Sequence, residues 1–187
     1  MLKRVLIKSY RFDDPSAAVL GADVFLPLKG HKIKSGEIKK RSYCCKQVLN
    51  ALSDGLFCGL ITDLEYGKVR NIVGESNFYS FLEELKKPGI KARLFEIMIA
   101  GVLDEYRRIS AYERLFKIAG DGNLHMSNMT SIIAAVELKK PIVSYDDHFW
   151  IYQNHIRNSY VERHGEKNFS SIFTPHDFYK LFLPKFQ

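Results

Sequence analysis

Ser127-Asn-Met-Thr-Ser-Ile-Ile-Ala-Ala-Val-Glu-Leu-Lys-Lys-Pro-Ile-Val-Ser-Tyr-Asp-Asp-His-Phe149 is the stretch whose reading decides the fold. Its first half puts Met129, Ile132, Ile133 and Val136 at i, i+3, i+4 and i+7, the spacing of one helix face. Lys139-Lys140-Pro141 closes that helix, because proline brings no N–H and its ring clashes with the preceding turn. Ile142 to Tyr145 then reads as a short apolar strand covered on both faces, as strands of a parallel sheet are. It runs straight into Asp146-Asp147. A helix, a buried strand and a pair of carboxylates follow one another without a gap.

The same pattern recurs upstream. Ala17 to Ala22 is a wholly apolar run that leads into Asp23, and Leu56 to Ile61 reads as another buried strand. Thr62-x-x-Glu65 matches a capping box and places Glu65 one turn into the next helix. Before that strand, Cys45, Val48, Leu49 and Leu52 share a helix face that Ser53-Asp54-Gly55 ends. Phe78, Phe81, Leu82 and Leu85 mark a further helix, stopped by Lys86-Lys87-Pro88-Gly89. From Ile90 to Ala119 helical spacing continues, predicting two more helices. Ile172-Phe173 reads as a last strand before a helix opening near Thr174-Pro175. At the other end, Val5 and Ile7 suit an edge strand, and Asp13-Asp14-Pro15-Ser16 suits a turn.

Strands alternating with helices predict a three-layer α/β/α fold with a mostly parallel central sheet. The 187 residues fit one domain, with residues 1–15 as an N-terminal extension. A composition of 46% hydrophobic and 26% charged residues is that of a globular chain and excludes disorder throughout. The densest apolar stretch, Leu94 to Leu103, is about half the length that crosses a bilayer. The N-terminus lacks the apolar run and cleavage site of a signal peptide, so a cytoplasmic protein is expected. Three cysteines, none in a C-x-x-C pair, argue against a zinc site or a disulfide framework; Cys45 and Cys58 suit the core. Phosphate-binding glycine loops and the G-x-S-x-G elbow are missing from the sequence, which argues against a nucleotide-cofactor enzyme or an α/β-hydrolase.

In such sheets sites lie at the carboxyl ends of the strands. Asp23 and Asp146 stand where strands end, and Glu65 lies one turn past another. Carboxylates gathered without a positive partner repel one another, so a set of this kind suits a hard divalent cation, Mg2+ or Mn2+. Such an ion polarises a phosphodiester and lowers the pKa of an attacking water. Each carboxylate also has a structural alternative: Glu65 completing the capping box, Asp23 turning the chain before Pro27, Asp146 and Asp147 capping the next helix. His125, His148 and His176 lack metal-ligand spacing and suit surface or packing roles, with contact to a phosphate as the alternative for His148 beside that pair.

The net charge of +7 favours a polyanion as partner, with a surface kept basic for solubility as the alternative. Between Lys29 and Lys46, Lys32, Lys34, Lys39, Lys40 and Arg41 stand against Glu37 alone, suiting either contact with RNA or a solvated loop.

Ser127–Phe149 resembles the C-terminal half of a PIN domain, in which an alanine-rich helix ends before a proline and a strand leads to an aspartate with a phenylalanine three positions on. Ile172-Phe-Thr-Pro-His-Asp-Phe178 is similar to that family's closing strand and helix. Leu60-Ile-Thr-Asp-Leu-Glu65 resembles the segment carrying its central glutamate, and Ala17 to Leu28 its first strand and acidic turn. The resemblance spans roughly residues 16 to 183. It implies a metal-dependent ribonuclease of the kind found among the toxins of toxin–antitoxin pairs, with RNA as substrate. An antitoxin or another protein as partner, and a homodimer, stay open. It also implies that Asp23, Glu65 and Asp146 are catalytic and bind Mg2+ or Mn2+, with Asp147 and Asn128 in support. An equally good register puts Gly21 at the first aspartate. Asn128 stands where the family has a fourth aspartate, so the resemblance equally allows a catalytically degenerate module that binds RNA or protein.

Overall fold

Six strands, all parallel, make one sheet in the computed structural model of the chain, which describes residues 3–7, 14–29, 36–167, 169 and 171–186. They are β1 (Lys3–Leu6), β2 (Ala18–Leu20), β3 (Cys58–Thr62), β4 (Arg93–Met98), β5 (Ile142–Val143) and β6 (Ile172–Phe173), in the order β1-β4-β3-β2-β5-β6. The helices are α1 (Gly36–Ser53), α2 (Asp63–Val73), α3 (Glu75–Glu84), α4 (Leu103–Arg107), α5 (Ser110–Gly120), α6 (Met126–Leu138), α7 (Asp147–Ile151), α8 (Gln153–His164) and α9 (Pro175–Asp177). The last continues as a π-turn over Phe178–Phe182 and a 3-10 turn over Leu183–Phe186.

Alternation along the strands feeds two cores. Val19, Leu60, Phe95, Ile97 and Ile142 pack with residues of α5, α6 and α8. Ala18, Leu20, Ile61, Leu94 and Val143 pack on the other side with residues of α1, α2 and α3 and with Phe178. Both faces of the sheet are therefore covered, which is why β2 and β5 are apolar at every position. The α/β/α layering expected from the sequence is the one observed.

The chain lays β2, β3 and β4 side by side, then returns to place β5 on the free side of β2. Strand order reverses between β2 and β5, and the crevice at their carboxyl ends is where open parallel sheets hold their sites.

One expectation fails. Residues 90–119 do not form two helices alone, because Arg93–Met98 is strand β4, lying between β1 and β3. Leu94, Phe95, Ile97 and Met98 satisfy helical and strand periodicity alike. The segment alternates faces, with Leu94 in one core and Phe95 and Ile97 in the other. Burial on both sides, not period, decides it. Glu96 is buried with them and takes the Arg4 guanidinium of edge strand β1 at 2.7 Å. The helical spacing resumes in α4 and α5.

The basic segment also differs from the turn-rich stretch expected. Helix α1 begins at Gly36, so Lys39, Lys40 and Arg41 are exposed residues of its first turns. Lys32 and Lys34 lie outside the described residues. All three cysteines are free and buried. Burial pushes the Cys58 thiol up to about 12 and raises Cys45 as well, as suits core thiols. Among the described residues no helix is long and apolar enough to cross a membrane.

Candidate functional site

The α2 N-terminus is built from Thr62, whose Oγ1 accepts the Glu65 N–H at 3.4 Å. Thr130 Oγ1 donates to the Ser127 carbonyl at 2.7 Å, so its 2.8 Å contact with Thr62 Oγ1 is one in which Thr62 donates. This relay ties the start of α2 to the start of α6 and brings Glu65 beside Asn128. The carboxylate of Glu65 does not turn back on its own helix as a full capping box would. It accepts the Ala22 N–H at 2.6 Å, reaching across to the end of β2. The neighbouring Asp63 accepts Ala100 N–H at 3.0 Å and Ile99 N–H at 3.3 Å, so it serves the end of β4 instead.

Asp23 lies in a 3-10 segment, Ala22–Lys29, directly after β2. Its Oδ1 accepts from Ser144 Oγ at 2.6 Å and its Oδ2 from Tyr145 N–H at 2.7 Å, which bridges the ends of β2 and β5. Burial dominates and raises its carboxyl above the ordinary value, against those hydrogen bonds, with the Glu65 charge adding to the rise. A Cβ at Gly21 would lie 2.7 Å from Asp23 Oδ1 and from Ser144 Oγ, so the glycine leaves room for these two side chains to meet.

Asp146 is the N-cap of α7, and its Oδ1 accepts the His148 N–H at 3.0 Å. The capping alternative is thus met, yet the same carboxylate also faces the crevice. Its Oδ2 accepts Asn128 Nδ2–H at 3.0 Å, and His148 Nδ1 lies 2.6 Å from Oδ1. Burial alone would raise Asp146. Hydrogen bonds from the His148 side chain and backbone, the Asn128 amide and the Lys68 charge outweigh it, and the carboxyl titrates below the ordinary value. An ionised carboxylate can only accept, so His148 carries its proton on Nδ1. His148 is therefore held by Asp146, with His125 edge-on at 5.6 Å.

At the centre of this arrangement stands a residue that sequence reasoning missed. Lys68 Nζ lies 3.4 Å from Asn128 Oδ1, 3.6 Å from Glu65 Oε1 and 3.7 Å from Asp146 Oδ2. At an effective dielectric of about 20 each ionic attraction at that range is roughly 4 to 5 kcal/mol before desolvation. One ammonium is then enough to offset the repulsion between two carboxylates. The spacing Glu65-x-x-Lys68, which puts both side chains on one helix face, is the signal that could have found it.

Asp23, Lys68, Tyr145 and Asp146 line a cleft of about 430 Å3, with Arg41 and Leu26 on its wall. Arg41 also lies over the Tyr145 ring, 5.3 Å from its centre. Asp147 is not part of this cleft. It is exposed and lines a neighbouring one of about 380 Å3 with Lys40, Arg41 and His176. Of the expected set, Asp23, Glu65, Asn128 and Asp146 come together, and Asp147 does not. Among the described residues no group of three or more His, Cys, Asp and Glu side chains has the geometry to hold a metal ion. What converges instead is two carboxylate oxygens and an amide oxygen around an ammonium. Comparison of the chain with protein-family models, curated proteins and solved structures returns no match.

Proposed function

We propose that the chain is a metal-dependent ribonuclease of PIN type, cutting RNA phosphodiesters at the crevice between β2 and β5. One observation carries this reading. Glu65 Oε1, Asn128 Oδ1 and Asp146 Oδ2 face a single cationic point, and Glu65 Oε1, buried in a side chain 1% exposed, has no hydrogen-bond partner. An oxygen-only donor set with an unsatisfied buried carboxylate oxygen fits Mg2+ or Mn2+. Glu65 and Asp146 would hold the ion, with Asn128 as a neutral third donor. Asp23, fixed by Ser144 and Tyr145, stands behind them. When bound, the ion would polarise the phosphodiester and activate water. Arg41 at the cleft wall, with Lys39 and Lys40 along α1, supplies positive charge for the RNA backbone.

A second reading has its own observation. With Lys68 amid the acidic groups and Asn128 in place of a carboxylate, the pocket is partly neutralised from within, as suits a module that binds RNA or a protein without cutting. Incubating the protein with single-stranded RNA and Mn2+, with and without EDTA, separates the two. The nuclease reading expects cleavage that EDTA stops and that Asp146→Asn removes, since asparagine still caps α7. RNA bound but left intact in Mn2+ and in Mg2+ would sink it in favour of the binding module.

A further inference from the structure

The oxygens that surround Lys68 Nζ are anchored from behind. Glu65 Oε2 takes the Ala22 N–H at 2.6 Å, Asp146 Oδ1 takes the His148 N–H at 3.0 Å, and Asn128 Nδ2 donates to Asp146 Oδ2 at 3.0 Å. Glu65 Oε1, Asp146 Oδ2 and Asn128 Oδ1 face one place. The ammonium there keeps 3.4 to 3.7 Å from all three. N–H···O hydrogen bonds close at 2.7 to 3.2 Å, so Lys68 neutralises the group without closing a good hydrogen bond to any member. Glu65 Oε1 is the consequence: a buried carboxylate oxygen beside a cation and still without a partner.

Two other carboxylates that are buried or nearly so are closed by their cations. Arg4 meets Glu96 at 2.7 Å, and Arg163 meets Glu137 at 2.7 Å. The contacts of Lys68 are longer than either of these. Its side chain is also 33% exposed, on the wall of an open cleft. A flexible four-carbon stem can swing that ammonium into the cleft without moving the helix.

We propose that Lys68 is a tethered, displaceable counter-ion: it neutralises Glu65 and Asp146 until a divalent cation arrives, then yields its place and turns outward into the cleft. The inference rests on the nuclease reading, because it needs a divalent cation as the arriving ligand. A small divalent ion draws hard oxygens to about 2.0 to 2.6 Å, much closer than Lys68 holds them, and the two cations repel, so both cannot occupy the centre. Lys68 is in this view a positioning residue. It sets how much metal is needed before the pocket fills, and it keeps paired carboxylates tolerable while metal is scarce.

Two measurements test it. First, Mn2+ is titrated into the parent and Lys68→Met, with free Mn2+ read by electron paramagnetic resonance. The variant should bind at least about tenfold more tightly, and its metal-free form should melt below the parent and recover with Mn2+, since a cation that binds the folded state stabilises it by mass action. Second, on the parent alone, an amine-acetylating reagent is applied with and without Mg2+, with modification located by mass spectrometry. Mg2+ should speed acetylation of Lys68 several-fold and leave exposed Lys117 unchanged; this arm does not depend on the variant's folding. Equal Mn2+ affinities, or Lys68 acetylation indifferent to Mg2+ in a protein that binds Mn2+, would overturn displacement and leave the nuclease reading standing. Failure of both proteins to bind Mn2+ would remove both ideas together.

Discussion

The two ends of the sheet hold carboxylates whose cations stand at different distances. At the amino ends, Asp14 meets Arg93 at 2.6 Å, accepts from Ser16 Oγ at 2.6 Å and from Ser16 N–H at 2.9 Å, and its carbonyl takes Lys140 Nζ at 2.8 Å. At the carboxyl ends, Asp146 and Glu65 have their cation, Lys68, at 3.7 and 3.6 Å, and one buried oxygen stays unpaired. The Asp14 and Asp146 side chains are 19% and 20% exposed, so depth does not tell them apart. Closure does. An ion pair that only holds the fold together has every reason to tighten, because each unsatisfied buried group costs about 1 to 3 kcal/mol. A pocket that must admit a ligand keeps donors open.

The strongest way to break that contrast is to neutralise one carboxylate at each end. Glu65→Gln retains an oxygen for the Ala22 N–H, so the fold should hold. On the proposed nuclease reading, metal-assisted charge stabilisation contributes several kcal/mol, and cleavage of RNA in Mn2+ should fall by about 100-fold or more. Asp14→Asn should leave the cleavage rate within about twofold. Rates of a labelled oligonucleotide's cleavage decide it. Equal activity of Glu65→Gln and parent would show that the open end is open for some other reason.

The amino end should reveal itself in stability instead. Burial alone would raise the Asp14 carboxyl, but the Ser16 hydrogen bonds and the Arg93 charge prevail and hold it below its ordinary 3.8. A depressed folded value stabilises the protein above the unfolded value, and that contribution disappears as pH falls through the folded one. At pH 7 Asp14→Asn should therefore melt lower than the parent. For a partly exposed, solvent-screened pair the difference is about 1 kcal/mol, or roughly 2 to 4 °C in a chain of this size. The gap should narrow below pH 3.8 and vanish below the folded value. Parallel melting curves from pH 7 to pH 2 check it; a constant offset would mean that Asp14 acts through its turn geometry alone.

Which parts of this were legible beforehand follows from the kind of signal involved. The apolar runs before Asp23, Glu65 and Asp146 marked β2, β3 and β5, because strands buried on both faces are largely apolar. That placed three carboxylates at one sheet edge although more than a hundred residues separate the first from the last. Strand β4 was hidden because Leu94-Phe95-Glu96-Ile97-Met98 fits either period, and only its neighbours β1 and β3 decide between them. Lys68 was hidden for another reason. A lysine on an amphipathic helix is ordinary, and what sets this one apart is Asn128 and Asp146, brought in from α6 and from the end of β5. Ser144, which joins Asp23 Oδ1 to the Asp146 N–H, is a small polar residue with no pattern of its own.

The smallest expected effect concerns how far the open end extends as a charged surface. Lys39, Lys40 and Arg41 are exposed on α1; Arg41 borders both the acidic cleft and the neighbouring one, where Lys40 joins it. RNA running along this edge would have its phosphates neutralised there, and each contact releases counter-ions equivalent to about 0.7 in the slope of log K against log salt on a single strand. Replacing the three together with glutamine should shallow the slope by about two units while leaving the melting temperature near that of the parent. Lys86 and Lys87 give the comparison. They follow α3 on the way into the amino end of β4 and are paired with Glu83 and Glu84, so their double replacement should leave the slope unaltered. Fluorescence anisotropy of a labelled RNA over a salt series, in EDTA so that nothing is cut, measures all three proteins. If the two replacements shallow the slope equally per charge removed, binding follows the overall charge of +7 and not the α1 edge. If neither does, RNA does not lie along α1, and the charge contrast between the two ends of the sheet stops at the wall of the cleft.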